Sequence, residues 1–141
     1  MFETFVHFAY GSNLSTRRLR GRCPTAIPLA SGYVIGRQLR FHKVGRDGTA
    51  KADAFYTGNR ADVLWGVLYR MRSDDRIALD ACKSLGIGYD EVAVEVSAGE
   101  RVWRTFLYQA REDMIDAALQ PARWYLDHVR TGYREHRLPV A

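Results

Sequence analysis

The segment of the chain best equipped for chemistry is Tyr10-Gly11-Ser12-Asn13-Leu14, where the apolar run Phe5-Val6-His7-Phe8-Ala9 stops. A strand that ends in a Gly-Ser-Asn turn and passes into a helix leaves backbone N–H groups unpaired at its tip. Such groups suit an anion or a carbonyl oxygen. The same residues also suit an ordinary tight turn, where they serve for their tolerance of unusual φ and ψ. The loop alone leaves both readings open.

Other arrangements of reactive side chains are not formed. Ser12 lacks the flanking glycines of a nucleophile elbow, and no His is placed beside it. His7, His42, His128 and His136 show no ligand spacing and have no Cys partner, so no metal site is expected. Cys23 and Cys82 pair only if the fold brings them together, and in a cytosolic chain they are expected as free thiols. Cys82 adjoins Lys83, a setting for a low-pKa thiol, but it also lies on an apolar helix stripe that favours burial.

The elements that must position the loop are readable in outline. The 141 residues read as one domain spanning 1–141, long enough to bury a core without staples. The 47% hydrophobic and 26% charged composition belongs to a globular protein. No apolar run approaches the roughly 20 residues that a membrane span needs, so no membrane partner is expected. Met1-Phe2-Glu3-Thr4 lacks the basic and apolar regions of a signal peptide, which makes cytoplasmic residence the default. The formal net charge is +5, with Arg17, Arg18, Arg20 and Arg22 close together. This cluster has neither interleaved aromatics nor a reader motif, so nucleic acid is not the expected partner. Nothing in the sequence indicates an oligomeric state.

Residues 4–9 read as the first strand. Residues 15–21 read as a short helix with Ser15 as N-cap and Gly21 as stop. Strands follow over 26–37, 38–43 and 50–57, with a turn at 44–49. Val63 to Tyr69 is almost wholly apolar, as a strand covered on both faces is. Ser73-Asp74-Asp75 opens a second helix with an N-cap, and Ile77, Ala78, Ala81 and Cys82 supply its apolar stripe. Residues 89–97 and 101–110 form a hairpin, and Pro121 starts a last helix carrying Trp124, Tyr125, His128 and Val129. Roughly seven strands joined mostly by turns, with three short helices, predict an α+β fold. Its sheet is curved, mixed or antiparallel, or a small barrel, with the helices around it; the count argues against a doubly wound parallel sheet, which would alternate strand and helix.

Read together, these segments resemble the γ-glutamylcyclotransferase superfamily over nearly the whole chain. Tyr10-Gly11-Ser12-Asn13-Leu14 resembles its substrate loop, and Arg22-Cys23-Pro24-Thr25-Ala26 the Arg-x-Pro-x-Ala that follows. Lys51-Ala52-Asp53-Ala54, Leu64-Trp65-Gly66-Val67-Leu68-Tyr69, Leu79-Asp80, Gly88-Tyr89, Trp124-Tyr125 and Leu138-Pro139 fall in register. The resemblance implies a cofactor-independent transferase or lyase reaction on a small amino-acid-derived molecule. The α-amino group of a γ-glutamyl amine attacks its own γ-carbonyl, the other amine leaves, and 5-oxoproline remains. The reaction needs a base for the α-ammonium, N–H donors for the oxyanion and a cavity that folds the glutamyl chain. By resemblance the loop, Arg22, Tyr89 and Tyr125 bind substrate; taken alone, each tyrosine suits a core aromatic and Arg22 a solvated charge.

The resemblance breaks at one point. The family pattern Leu-Asp-x-x-Glu-Gly reads Leu79-Asp80-Ala81-Cys82-Lys83-Ser84 here, so Lys83 stands at the glutamate base and Ser84 at the glycine. A protonated lysine accepts no proton from an ammonium and repels it. Three outcomes are open. Lys83 holds an acidic or carbonyl ligand; or it is desolvated and serves as base or nucleophile in an altered reaction; or Asp80, Asp90 or Glu91 takes over. The functional expectation is amine attack or acyl transfer on a γ-glutamyl or related amino-acid amide, with Lys83 as the catalytic group. The alternative is a non-catalytic binding module for an acidic metabolite or a peptide end.

Overall fold

In the computed structural model, which describes residues 2–139, seven strands run as β1 (Thr4–Ala9), β2 (Ile27–Ile35), β3 (Arg37–Val44), β4 (Ala50–Tyr56), β5 (Val63–Arg72), β6 (Tyr89–Ala98) and β7 (Arg101–Ala110). The helices are α1 (Thr16–Arg20), α2 (Arg76–Cys82) and α3 (Arg123–Glu135). Five strands form one sheet in the order β1-β5-β2-β6-β7, and β3 pairs with β4 apart from it. Every pairing between these strands is antiparallel. The sheet curls until its edges meet, with the Thr105 hydroxyl of β7 donating to the Val6 carbonyl of β1 at 2.6 Å.

Both faces of the curled sheet are covered, so successive residues of a strand enter different cores. On β1, Phe8 and Ala9 fall in separate buried clusters, as do Leu68 and Tyr69 on β5 and Leu107 and Tyr108 on β7. This explains why β5 reads as a continuous apolar run. The first cluster also takes Leu14, Leu19 and Leu79, and the second Tyr125 and Val129 of α3. His7 is buried and stacks on Phe106 and Tyr108 with ring centroids 4.9 and 5.1 Å away. Burial, with Lys83 and Arg76 nearby, drives its pKa down to about 3.

α1 begins as its sequence demands: the Ser15 side chain accepts from the Arg18 amide, and Gly21 is the C-cap. Other expectations are corrected. Ser73 does not cap α2; Ser73–Asp75 forms a 3-10 turn without a side-chain cap, and the Asp75 carboxylate is turned to Thr25, accepting its amide at 2.9 Å. The stripe expected on α2 holds in part: Ala78 and Cys82 pack against the core beside Leu79, but Ile77 and Ala81 do not. Ile77 is 81% exposed, and Leu79 is the buried anchor, because only one edge of this seven-residue helix meets the sheet. Pro121 lies ahead of α3, whose N-cap is Ala122. No helix among the described residues is long and apolar enough to cross a membrane.

Candidate functional site

Residues 10–15 leave the end of β1 as a buried 3-10 turn, Ser12–Leu14, that runs into α1. The amides of Leu14 and Ser15 close onto the carbonyls of Gly11 and Ser12 at 3.0 and 3.3 Å. Among the described residues the amides of Gly11, Ser12 and Asn13 have no backbone carbonyl partner. Two features hold the turn in place. The Leu14 carbonyl accepts from the Tyr69 hydroxyl at 3.1 Å and from His136 Nε2 at 2.9 Å. Gly132 of α3 is packed so closely that a Cβ there would lie 2.2 Å from that of Leu14.

The turn forms one wall of a cavity of about 350 Å³. Ser12, Arg18 and Arg22 line it on one side, and the β3–β4 hairpin contributes Lys43, Arg46, Asp47 and Lys51. The end of α2 contributes Cys82, Lys83 and Ser84, and Tyr89, Trp124 and Tyr125 form the aromatic walls. Six basic side chains therefore share one small cavity with a single carboxylate, Asp47. Asp47 belongs to the hairpin turn: Thr49 donates to it from its amide and hydroxyl, and Lys51 reaches it at 3.2 Å. Those Thr49 hydrogen bonds, more than Lys51, draw its pKa down to about 2.

The lysine ammonium groups rest on aromatic faces. Lys43 lies 4.8 Å from the centroid of the Tyr89 ring and Lys83 lies 5.1 Å from the same centroid. Lys51 is 4.5 Å from Trp124 and 4.9 Å from Tyr125. Attraction to the ring quadrupole supports a desolvated cation. Among the described residues neither Lys43 nor Lys83 forms an ion pair. Burial, opposed by Cys82 but reinforced by Arg22, Arg18 and Lys43, lowers the pKa of Lys83. Burial, then Arg46 and Lys51, lowers that of Lys43.

The residues selected from sequence separate into two groups. Ser12, Arg22, Lys83, Tyr89 and Tyr125 come together around the cavity. Tyr10 is turned into the core and donates its hydroxyl to the Tyr108 carbonyl. Gly11 backs onto β4, where a Cβ would lie 2.9 Å from that of Ala52. Asn13 is buried, with Oδ1 3.4 Å from Arg22 Nη1 and Nδ2 without a partner, and the Leu14 side chain is in the core. The two wall tyrosines clamp the backbone of Ala52: Tyr89 donates to its carbonyl at 2.6 Å, and Tyr125 accepts from its amide at 2.9 Å. Burial raises both phenol pKa values. Both hydroxyls are thereby engaged with the β4 backbone.

The three acids offered as substitutes for the glutamate are otherwise engaged. Asp80 Oδ1 accepts from the Tyr108 hydroxyl at 2.5 Å and from Arg76 Nε at 3.1 Å. Glu91 pairs with Arg76, and Asp90 with Arg111. None of the three lines the cavity. Ser84 has φ +46°, a left-handed conformation that favours glycine, as the glycine of the resembled pattern would predict. Its hydroxyl accepts from Arg46 at 2.9 Å, so that the hairpin touches the end of α2. Sequence reasoning missed Lys43, Arg46, Lys51 and Trp124. Lys51, set between the small residues Ala50 and Ala52, was the available signal, since a charge at such a place needs a reason.

No protein-family model matches the chain. It is similar to γ-glutamylcyclotransferase of Mus musculus, 28% identical over 147 residues, which span 97% of this chain and 74% of that protein. The Bos taurus γ-glutamylcyclotransferase is 26% identical over 145 residues, 98% of this chain and 74% of that one. A solved structure named γ-glutamyl cyclotransferase superposes with a TM-score of 0.87 at 25% identity, covering 97% of this chain and 82% of its own.

Proposed function

The chain has a γ-glutamylcyclotransferase-like fold, and on that footing we propose that the basic cavity is its substrate site, taking a γ-glutamyl or related amino-acid amide that carries an anionic group. The reading rests on one observation: six cationic side chains line the cavity against one carboxylate. An α-ammonium on the ligand is repelled there, and no cavity carboxylate is free to take its proton. Ordinary cyclisation with a glutamate base is therefore disfavoured, and an altered amine attack or acyl transfer at the loop is the chemistry that fits. Lys83 occupies the position of the base, and its lowered pKa leaves more neutral amine near neutral pH than a surface lysine has. In such a step the attacking amine bonds to the amide carbonyl and its proton passes to the Lys83 amine. The carbonyl–nitrogen bond then breaks, and the departing amine recovers a proton. The free amides of Gly11 and Asn13 are suited to the oxyanion.

The missing carboxylate also supports a second reading, a non-catalytic module that holds an acidic ligand. Amine release from γ-glutamyl amides separates the two. In the enzyme reading, wild type releases amine and Lys83→Ala lowers the rate at least 100-fold. In the binding reading, wild type binds without turnover, and Lys83→Glu with Ser84→Gly gains 5-oxoproline formation. A wild type that forms 5-oxoproline at a rate insensitive to Lys83→Ala refutes both.

A further inference from the structure

We propose that the hairpin side of the cavity is a phosphate subsite, so that the ligand carries a phosphoryl or pyrophosphoryl group held by Lys43, Arg46 and Lys51. This rests on the preceding reading of the cavity as the ligand site and specifies the chemistry of what enters it. Outside the cavity Arg76 lies on Asp80 and Glu91, Arg111 on Asp90 and Asp113, and the buried Arg37 donates to the Ala54 carbonyl and to Gln109 Oε1. In the cavity Lys51 reaches Asp47, but Lys43 and Lys83 have no such partner among the described residues. Lys43 is only 7% exposed, yet its ammonium has no carboxylate and shares one aromatic ring with Lys83. The backbone is shaped around that ammonium, because a Cβ on Gly88 would lie 2.8 Å from Lys43 Nζ.

Like charges held together in a part-desolvated space are stabilised by a multiply charged anion. A zwitterionic amino acid adds a cation, and a single carboxylate neutralises one charge of the surplus. Phosphate places two or more charges and several acceptor oxygens in the smallest volume, and ammonium groups bind it as point charges. The hydroxyls of Ser12, on the turn, and Ser84, at the end of α2, add polar groups to the lining. A cavity of about 350 Å³ fits a small molecule.

Calorimetric titration of the full chain tests this with sodium pyrophosphate and orthophosphate against sodium glutamate and citrate at matched ionic strength. Pyrophosphate is expected to bind at least tenfold more tightly than glutamate or citrate. Lys43→Met should weaken it at least tenfold. Arg46→Ala, a truncation of an exposed side chain with its fold checked by circular dichroism, should weaken it several-fold. Arg104→Ala, 89% exposed and outside the cavity, should leave it unchanged. Equal or tighter binding of citrate, tighter binding of a short DNA single strand, or wild-type affinity in both Lys43→Met and Arg46→Ala overturns the proposal. Binding is read without turnover, so loss of phosphate affinity with amine release intact removes this subsite and leaves the enzymatic reading standing.

Discussion

His42 and Lys43 are neighbours on β3, both buried, and they meet opposite fates. A register shift in the β3–β4 pairing between Phe41 and Lys43 turns both inward, where a regular strand would alternate them. His42 Nε2 meets Asp53 Oδ2 at 2.6 Å, and the other Asp53 oxygen accepts the Ala110 amide at 2.8 Å. That pair is closed and ties β3, β4 and β7 together. Lys43, one residue on, meets only a ring face and other cations. A buried polar group with its partners supports the fold; one left without them calls for an explanation, which at Lys43 the proposed ligand supplies.

The sharpest way to break this contrast is to remove one member of each set. Asp53→Ala strands His42 and the Ala110 amide and should cost roughly 3 kcal/mol or more in chemical denaturation. Lys43→Met should do the opposite, leaving the ligand-free protein unchanged or more stable by about 1 kcal/mol, since a desolvated charge is removed. The Lys43 pKa is lowered on folding, so the unfolded chain holds its proton to higher pH. Wild-type stability therefore rises as pH approaches 10.5, and the variant should flatten that rise.

His7 extends the comparison to a buried base kept neutral. Its pKa falls from 6.5 to about 3, so the unfolded chain takes up a proton that the folded one refuses. Its contribution is complete above pH 6.5 and is lost as pH falls, at roughly 1.4 kcal/mol per unit down to about 3. An acid titration of His7→Phe should show a correspondingly smaller loss over that range.

The smallest expected effect concerns the link between the hairpin and α2. Ser84 is held at φ +46°, so Ser84→Gly should relieve up to about 1 kcal/mol, with loss of the Arg46 hydrogen bond reducing the gain. Thermal denaturation of Ser84→Gly beside Ser84→Ala separates strain from hydrogen bonding: only the glycine variant should stabilise.

Much of the fold was legible because the strands carry their own signals. Val63 to Tyr69 is apolar on both sides because two cores lie against the sheet, and the 89–110 hairpin is marked by alternation and a turn. α2 was legible in part: Ala78 and Cys82 do pack on the core, but the buried anchor is Leu79 and Ile77 is exposed. Of the site, the sequence placed Ser12, Arg22, Lys83, Tyr89 and Tyr125 by resemblance, but not Lys43 or Lys51. Those two lie on a two-stranded piece outside the main sheet, and its position over the end of α2 is a long-range packing result.

The order of residues alone determined that a Gly-Ser-Asn turn follows β1 and that a lysine, Lys83, comes three residues after Asp80. Both are local facts about which side chain occupies which position. Only the tertiary structure decided that the lysine joins five other cations around one cavity, and that the nearby acids Asp80, Asp90 and Glu91 are turned to arginines outside it. Charge is written in the sequence, but whether it is compensated depends on distances between strands and helices far apart in the chain. Folding alone fixes those distances.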